Sequence, residues 1–323
     1  MKKRYWIGGA TVAAAGGALA LKLWTRPEDV EWGEQRERLH HAERSRFVEI
    51  EGVRVHYQEA GEACAPALLL IHGFCASNFV WKDALVPLAE AGFRVVTPDL
   101  VGFGFSGKPG SGEYTIEAQA RILVGLMDAL GIGRATLVGS SYGGAIAAVC
   151  ALDAAERVER LVLVGAVSND EITRRPVLRL AATPVMGELL APVLLDARRF
   201  MKNRRRAADA AANGYLLDSV RIAAHQRPLR AAATHRAILR TLRNWRATRI
   251  EREAARITQP TLLVWGADDR DVPLRHGRRL HELIARSRLF VFAECGHLPQ
   301  EERPAEFVSL VAEFCRGAEP GVV

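Results

Sequence analysis

The sequence predicts an α/β protein: a mostly parallel central sheet with helices on both faces and an inserted helical cap. Three observations carry this. Short Val/Ile/Leu-rich runs recur between residues 67 and 165 and again between 261 and 293, with helical patterns between them. Runs of that kind suit parallel strands buried on both faces. A glycine-flanked serine, Gly139-Ser140-Ser141-Tyr142-Gly143, separates one such run from a small, apolar, helix-compatible stretch. Between Ala166 and Ile257 the strand rhythm stops, and helical composition broken by Pro176, Pro184, Pro192 and Pro228 replaces it.

In chain order, Met1-Lys2-Lys3-Arg4 is basic and is followed by 17 uncharged residues, Tyr5 to Leu21, close to the shortest run that spans a bilayer. Lys22 can snorkel, and Tyr5, Trp6 and Trp24 suit the two interfaces. Residues 1–24 therefore read as a signal anchor, or as a signal peptide cleaved near Ala18-Leu19-Ala20. The expectation is an inner-membrane anchor with the rest of the protein on the periplasmic side, secretion after cleavage being the alternative. Residues 25–45, rich in Glu and Arg, read as a linker. Phe47–Ile50 and Val53–Tyr57 flank Glu51-Gly52 as a hairpin. Strands follow near 67–72, 94–98, 135–140, 160–165, 261–265 and 288–293. The core is thus expected over 46–166 and 257–318, and the cap over 167–256.

The chemistry starts at Ser141. A serine on a sharp strand-to-helix turn is a nucleophile elbow, and Gly139 and Gly143 spare that turn side-chain clashes. The Tyr142 N–H then opens a helix, where it can donate to a developing oxyanion. A serine needs a base and a group that orients the base. In chain order after Ser141 come a strand ending in Gly266, three competing carboxylates (Asp268, Asp269 and Asp271), another strand, and then Glu294-Cys295-Gly296-His297. His297 is the candidate base. His72 precedes a strand-end glycine and reads as a loop-shaping residue. In the loop after the 67–72 strand, Gly73 allows close backbone approach and the Phe74 N–H is the second oxyanion donor.

These segments resemble the α/β-hydrolase superfamily over roughly residues 46–316. His72-Gly73-Phe74, Pro98-Asp99-Leu100-Val101-Gly102-Phe103-Gly104-Phe105-Ser106, the serine elbow, Trp265-Gly266-Ala267-Asp268-Asp269 and Gly296-His297-Leu298-Pro299 carry the resemblance. The family pattern places the acid three residues after the strand-end glycine and four before a proline. Gly266 and Pro273 put that position at Asp269. Within the superfamily the chain is most similar to bacterial membrane-associated lipases and esterases, including monoacylglycerol-lipase-like enzymes. The resemblance implies a carboxylic ester hydrolase acting on lipid-like or medium-chain acyl esters. Haloalkane dehalogenases and epoxide hydrolases use an aspartate where this chain has Ser141. Carbon–carbon bond hydrolases usually carry Trp after the catalytic histidine, where this chain has Leu298. Perhydrolases and lactonases share the same triad and stay open as alternatives, as does a non-catalytic binding protein on the same fold.

At 323 residues, with 49% hydrophobic and 25% charged residues, the composition is that of a globular protein large enough for a buried core. Zinc-ligand spacing and P-loops are absent from the sequence, so no metal or organic cofactor is expected. Five cysteines (Cys64, Cys75, Cys150, Cys295 and Cys315) make no disulfide framework. Residues 170–256 hold 18 arginines and one lysine against eight acids, although the whole chain is only +7. That excess reads either as a solvated surface or as a contact for anionic lipid headgroups. Without a recognisable binding motif it is not a nucleic-acid surface. The expected partners are therefore a small-molecule ester or lipid substrate, and a membrane.

Overall fold

The computed structural model describes residues 39–194 and 231–317. Its centre is one eight-stranded sheet: β1 (Ser45–Ile50), β2 (Val53–Ala60), β3 (Ala67–Ile71), β4 (Arg94–Pro98), β5 (Ala135–Ser140), β6 (Val158–Val164), β7 (Thr261–Gly266) and β8 (Ser287–Phe292). The strand order is β1-β2-β4-β3-β5-β6-β7-β8. β1 and β2 pair antiparallel, as do β2 and β4, and every other pair is parallel. The hairpin forms where expected because both of its turn residues take positive φ, Glu51 at 49° and Gly52 at 74°. That combination is the one whose twist matches flanking strands across a two-residue loop.

The helices are α1 (Lys82–Glu90), α2 (Ile116–Ala129), α3 (Tyr142–Asp153), α4 (Pro176–Ala182), α5 (Met186–Leu194), α6 (Ala232–Arg243), α7 (Thr248–Glu253), α8 (Leu274–Leu283), α9 (Pro299–Glu302) and α10 (Pro304–Cys315). Alternation along the strands splits the interior in two. Leu69, Leu137, Leu161 and Leu263 pack on one face with α2, α3 and α8. Leu68, Leu70, Val138, Val162 and Val264 pack on the other with α1 and α10. Every residue of β5 and β7 is buried, and nearly all of α3 is too. That explains their predominantly apolar sequence where a half-exposed element would alternate. The described part of the stretch between β6 and β7 is helical, comprising α4 to α7 and a few single turns. Arg243 of α6 forks onto Glu188 of α5 at 2.6 and 2.8 Å.

The expectation of a membrane-anchored protein is corrected. Among the described residues no helix is long and apolar enough to cross a membrane. The longest of them, α2, has 14 residues, and at ~1.5 Å per residue it falls well short of a ~30 Å hydrocarbon core. Residues 1–24, on which the anchor rested, lie outside the described residues, as do most of the linker and the clusters Arg198-Arg199 and Arg204-Arg205-Arg206.

A buried polar knot at the ends of β2, β3 and β4 shapes the loops beside the serine. Asp99 is fully buried and accepts from the N–H groups of Asn78 (2.7 Å) and Phe105 (2.9 Å) and from His56 Nδ1 (2.7 Å). Gly104, at φ 49°, leaves no room for a side chain, since a Cβ there would lie 2.0 Å from the Asp99 carboxyl. Burial pushes the Asp99 carboxyl up, but the hydrogen bond and charge of His56, with the Asn78 N–H, outweigh burial and hold it below its ordinary value. His72 Nε2 accepts the Leu100 N–H at 2.9 Å, so the proton sits on Nδ1 and is donated to the Gly73 carbonyl at 2.8 Å. Burial therefore keeps His72 neutral, with its pKa below the usual value.

This has a measurable sign. Below about pH 6.5 the unfolded chain takes up a proton at His72 that the native state refuses, so stability is full above that pH and falls beneath it. The expected slope approaches ~1.4 kcal/mol per pH unit for this one proton. Urea midpoints between pH 7 and pH 5 should fall for the wild type and fall less for His72→Gln.

Candidate active site

Ser141 stands between β5 and α3 with φ 55° and ψ −116°. A non-glycine residue holds such angles only where its surroundings over-determine them, at a cost of order 1–3 kcal/mol. Here they do. The Ser141 N–H bonds the Val164 carbonyl at 2.8 Å, and its own carbonyl accepts from Gly144 (3.0 Å), Ala145 (3.3 Å) and Val167 (3.0 Å). The glycines supply the clearance. A Cβ on Gly139 would lie 2.3 Å from the Gly143 carbonyl oxygen, and one on Gly143 would lie 2.2 Å from that of Ile71. Tyr142 is the first residue of α3, so its N–H belongs to the helical turn that has no intrahelical acceptor. Across from it, a Cβ on Gly73 would sit 3.1 Å from Ser141 Cβ and 3.7 Å from Oγ. The backbone leading into Phe74 therefore runs directly beside the serine.

The three carboxylates differ in burial. Asp269 is 6% exposed, whereas Asp268 and Asp271 are exposed. Asp269 Oδ1 accepts the N–H groups of Asp271 and Val272, both at 2.9 Å, and Oδ2 meets His297 Nδ1 at 2.8 Å. Gly165, directly after the Val164 carbonyl that holds Ser141, has φ 49°, and a Cβ on it would lie 3.1 Å from both Asp269 Oδ2 and His297 Nδ1. The ends of β3, β5, β6, β7 and β8 thus bring Gly73-Phe74, Ser141-Tyr142, Gly165, Asp269 and His297 to one edge of the sheet. Open α/β sheets place their sites at that edge.

Some features escaped the sequence reading. Trp245, in the helical stretch, is buried and packs its ring on Tyr142 (centroids 4.8 Å apart) and edge-on against Phe74 (5.5 Å). Gly165 and Glu302 were likewise not foreseen. For Glu302 the spacing from His297 was a readable signal, because Glu302 lies one helical turn beyond the histidine loop. Near the site, burial pushes the thiols of Cys75 and Cys295 up, which disfavours the thiolate.

The family model described as the alpha/beta hydrolase fold matches residues 66–304. The chain belongs to the α/β-hydrolase family. This α/β-hydrolase is 33% identical, over 85% of its length and 82% of the relative's, to an uncharacterised protein of Mycobacterium tuberculosis. It is 32% identical to 2-hydroxymuconate semialdehyde hydrolase of a Pseudomonas species, covering 84% of this chain and 94% of the other. Among solved structures it superposes on a membrane phospholipase A described as a bacterial virulence factor. That match has a TM-score of 0.72 and 27% identity and covers 98% of both chains.

Proposed function

We propose that this hydrolase cleaves carboxylic esters of lipid-like or medium-chain acyl groups through an acyl-enzyme, with Ser141 as nucleophile, His297 as base and acid, and Asp269 as its orienter. The observation that carries the reading is the Asp269–His297 hydrogen bond, at the same edge of the sheet as a serine on a strained elbow. In this mechanism His297 Nε2 takes the Ser141 hydroxyl proton as Oγ attacks the ester carbonyl. The N–H groups of Phe74 and Tyr142 receive the oxyanion. The imidazolium, stabilised by Asp269, returns the proton to the departing alcohol. Water then repeats the sequence and frees the acid. We further propose residues 167–256 as a cap over a core of 46–166 and 257–318, with Trp245 pressing the cap onto the Phe74 loop. The phospholipase-like structural neighbour supports a lipid-like acyl group.

A second reading comes from the 2-hydroxymuconate semialdehyde hydrolase relative, namely cleavage of a carbon–carbon bond with the same residues. Leu298 stands where the resemblance to that branch calls for Trp. A p-nitrophenyl ester chain-length series run beside a lactone, a peracid assay and a dienoate semialdehyde decides among these. The ester reading expects turnover that peaks at medium or long chains. It is overturned if the dienoate, the lactone or peroxide is turned over in preference to every ester.

A further inference from the structure

We propose that Glu302 is a positioning residue for the base: it holds the His297 loop through the peptide N–H groups on both sides of the histidine. The inference deepens the esterase reading above and rests on it. One carboxylate oxygen, Oε2, accepts the Gly296 N–H at 2.7 Å, and the other, Oε1, accepts the Leu298 N–H at 3.1 Å. His297 is the residue between them. Glu302 reaches back to this loop because α9 is a single short turn whose last N–H bonds the Leu298 carbonyl at 2.9 Å. The other side of the loop is fixed to the acid's own segment. Asp268 N–H donates to the Cys295 carbonyl at 2.9 Å, and the Gly296 carbonyl oxygen lies 2.1 Å from where a Cβ on Gly266 would be. The imidazole therefore hangs from a loop fastened at one end to β7 and at the other to Glu302.

Only a carboxylate fills this place without loss. Both of its oxygens accept, and both are used. Glutamine offers one acceptor and turns an NH₂ group towards the second N–H, so a donor faces a donor. Aspartate keeps two acceptors but is one methylene short. In either variant the loop relaxes and the base moves relative to Ser141, and a misplacement of about 1 Å costs about 10²-fold in rate. Since Glu302 acts through His297, the effect belongs in turnover and vanishes when the imidazole is gone.

The test is a cycle on the full chain: wild type, Glu302→Gln, His297→Ala and the double variant, each assayed for kcat and KM on the best p-nitrophenyl ester. Glu302→Gln is expected to lower kcat about 10- to 100-fold with KM within about twofold, and to leave the residual activity of His297→Ala unchanged. A kcat within twofold of wild type overturns the proposal, and so does an equal further loss in the His297→Ala background, which would mark a general structural effect. Should Glu302→Gln fail to fold, Glu302→Asp carries the same cycle and is decided by the same two results. If His297→Ala itself keeps wild-type turnover, the esterase mechanism has failed first, and Glu302 has no base to position.

Discussion

Ser141→Ala is expected to remove ~10⁴-fold or more of kcat while leaving the fold intact. The substitution deletes one oxygen. The backbone bonds that force Ser141 into its positive-φ conformation run through its N–H and carbonyl, and alanine keeps both. Thermal melts of the two proteins should superimpose within a few degrees, which separates lost chemistry from lost structure. Labelling by a fluorophosphonate should disappear with the hydroxyl. Retained ester turnover in the variant would remove the serine from the mechanism. Adding His297→Ala to Ser141→Ala should cost little more, because residues that act as one unit are far from additive.

The second large effect is structural. Gly143→Ala adds a single methyl, but that methyl would stand 2.2 Å from the Ile71 carbonyl oxygen and 2.6 Å from that of His72. Both are backbone atoms, so no side-chain rotation relieves the contact. Either α3 must back away from β3 or the elbow must open. The expected loss is at or above the upper end of the ~1–3 kcal/mol typical of overpacked sites, read as a lower urea midpoint at unchanged slope. Activity should fall as well, since β3 leads into Gly73 and Phe74. Gly133→Ala is the matched control. A Cβ there meets nothing within 4 Å, and its urea midpoint should hold or rise. Equal midpoints for the two variants would show that the elbow tolerates the extra methyl.

Much of this architecture was legible because its signals are local. Strands β3 to β8 fall where short Val/Ile/Leu-rich runs were read, and β6 merely starts a little earlier, at Val158. The family resemblance singled out Asp269 over Asp268 and Asp271 through its spacing from Gly266 and Pro273. In the structure Asp269 is the buried one of the three, and its Oδ1 accepts the N–H groups of Asp271 and Val272. The features that stayed hidden depend on distant segments meeting. Gly165 matters because β6 and β7 lie side by side although nearly a hundred residues separate them in the chain. Trp245 matters because the helical stretch returns over Phe74, and amphipathic periodicity does not say which way a helix returns. The His56–Asp99 contact joins residues 43 positions apart, and neither carries a signal of the other. The membrane expectation failed for a different reason: it rested on hydropathy, charge and composition, which do not say where a chain segment lies.

The neighbouring positions of β6 and β7 have one more consequence. The chain leaves the sheet after Val164 and re-enters it at Thr261, one strand spacing away. Whatever lies between is therefore a side excursion whose length leaves no mark on strand register. Ser141, Asp269 and His297 lie outside that excursion, whose first residues, Gly165 and Val167, lie against them. A graft that exchanges it for the matching stretch of a relative, cut beyond Val167 and before Ile257, should retain the hydrolytic machinery and inherit the donor's choice of substrate. On the proposed reading the scaffold is a socket, in which the inserted stretch could be rebuilt without re-solving the sheet beneath it.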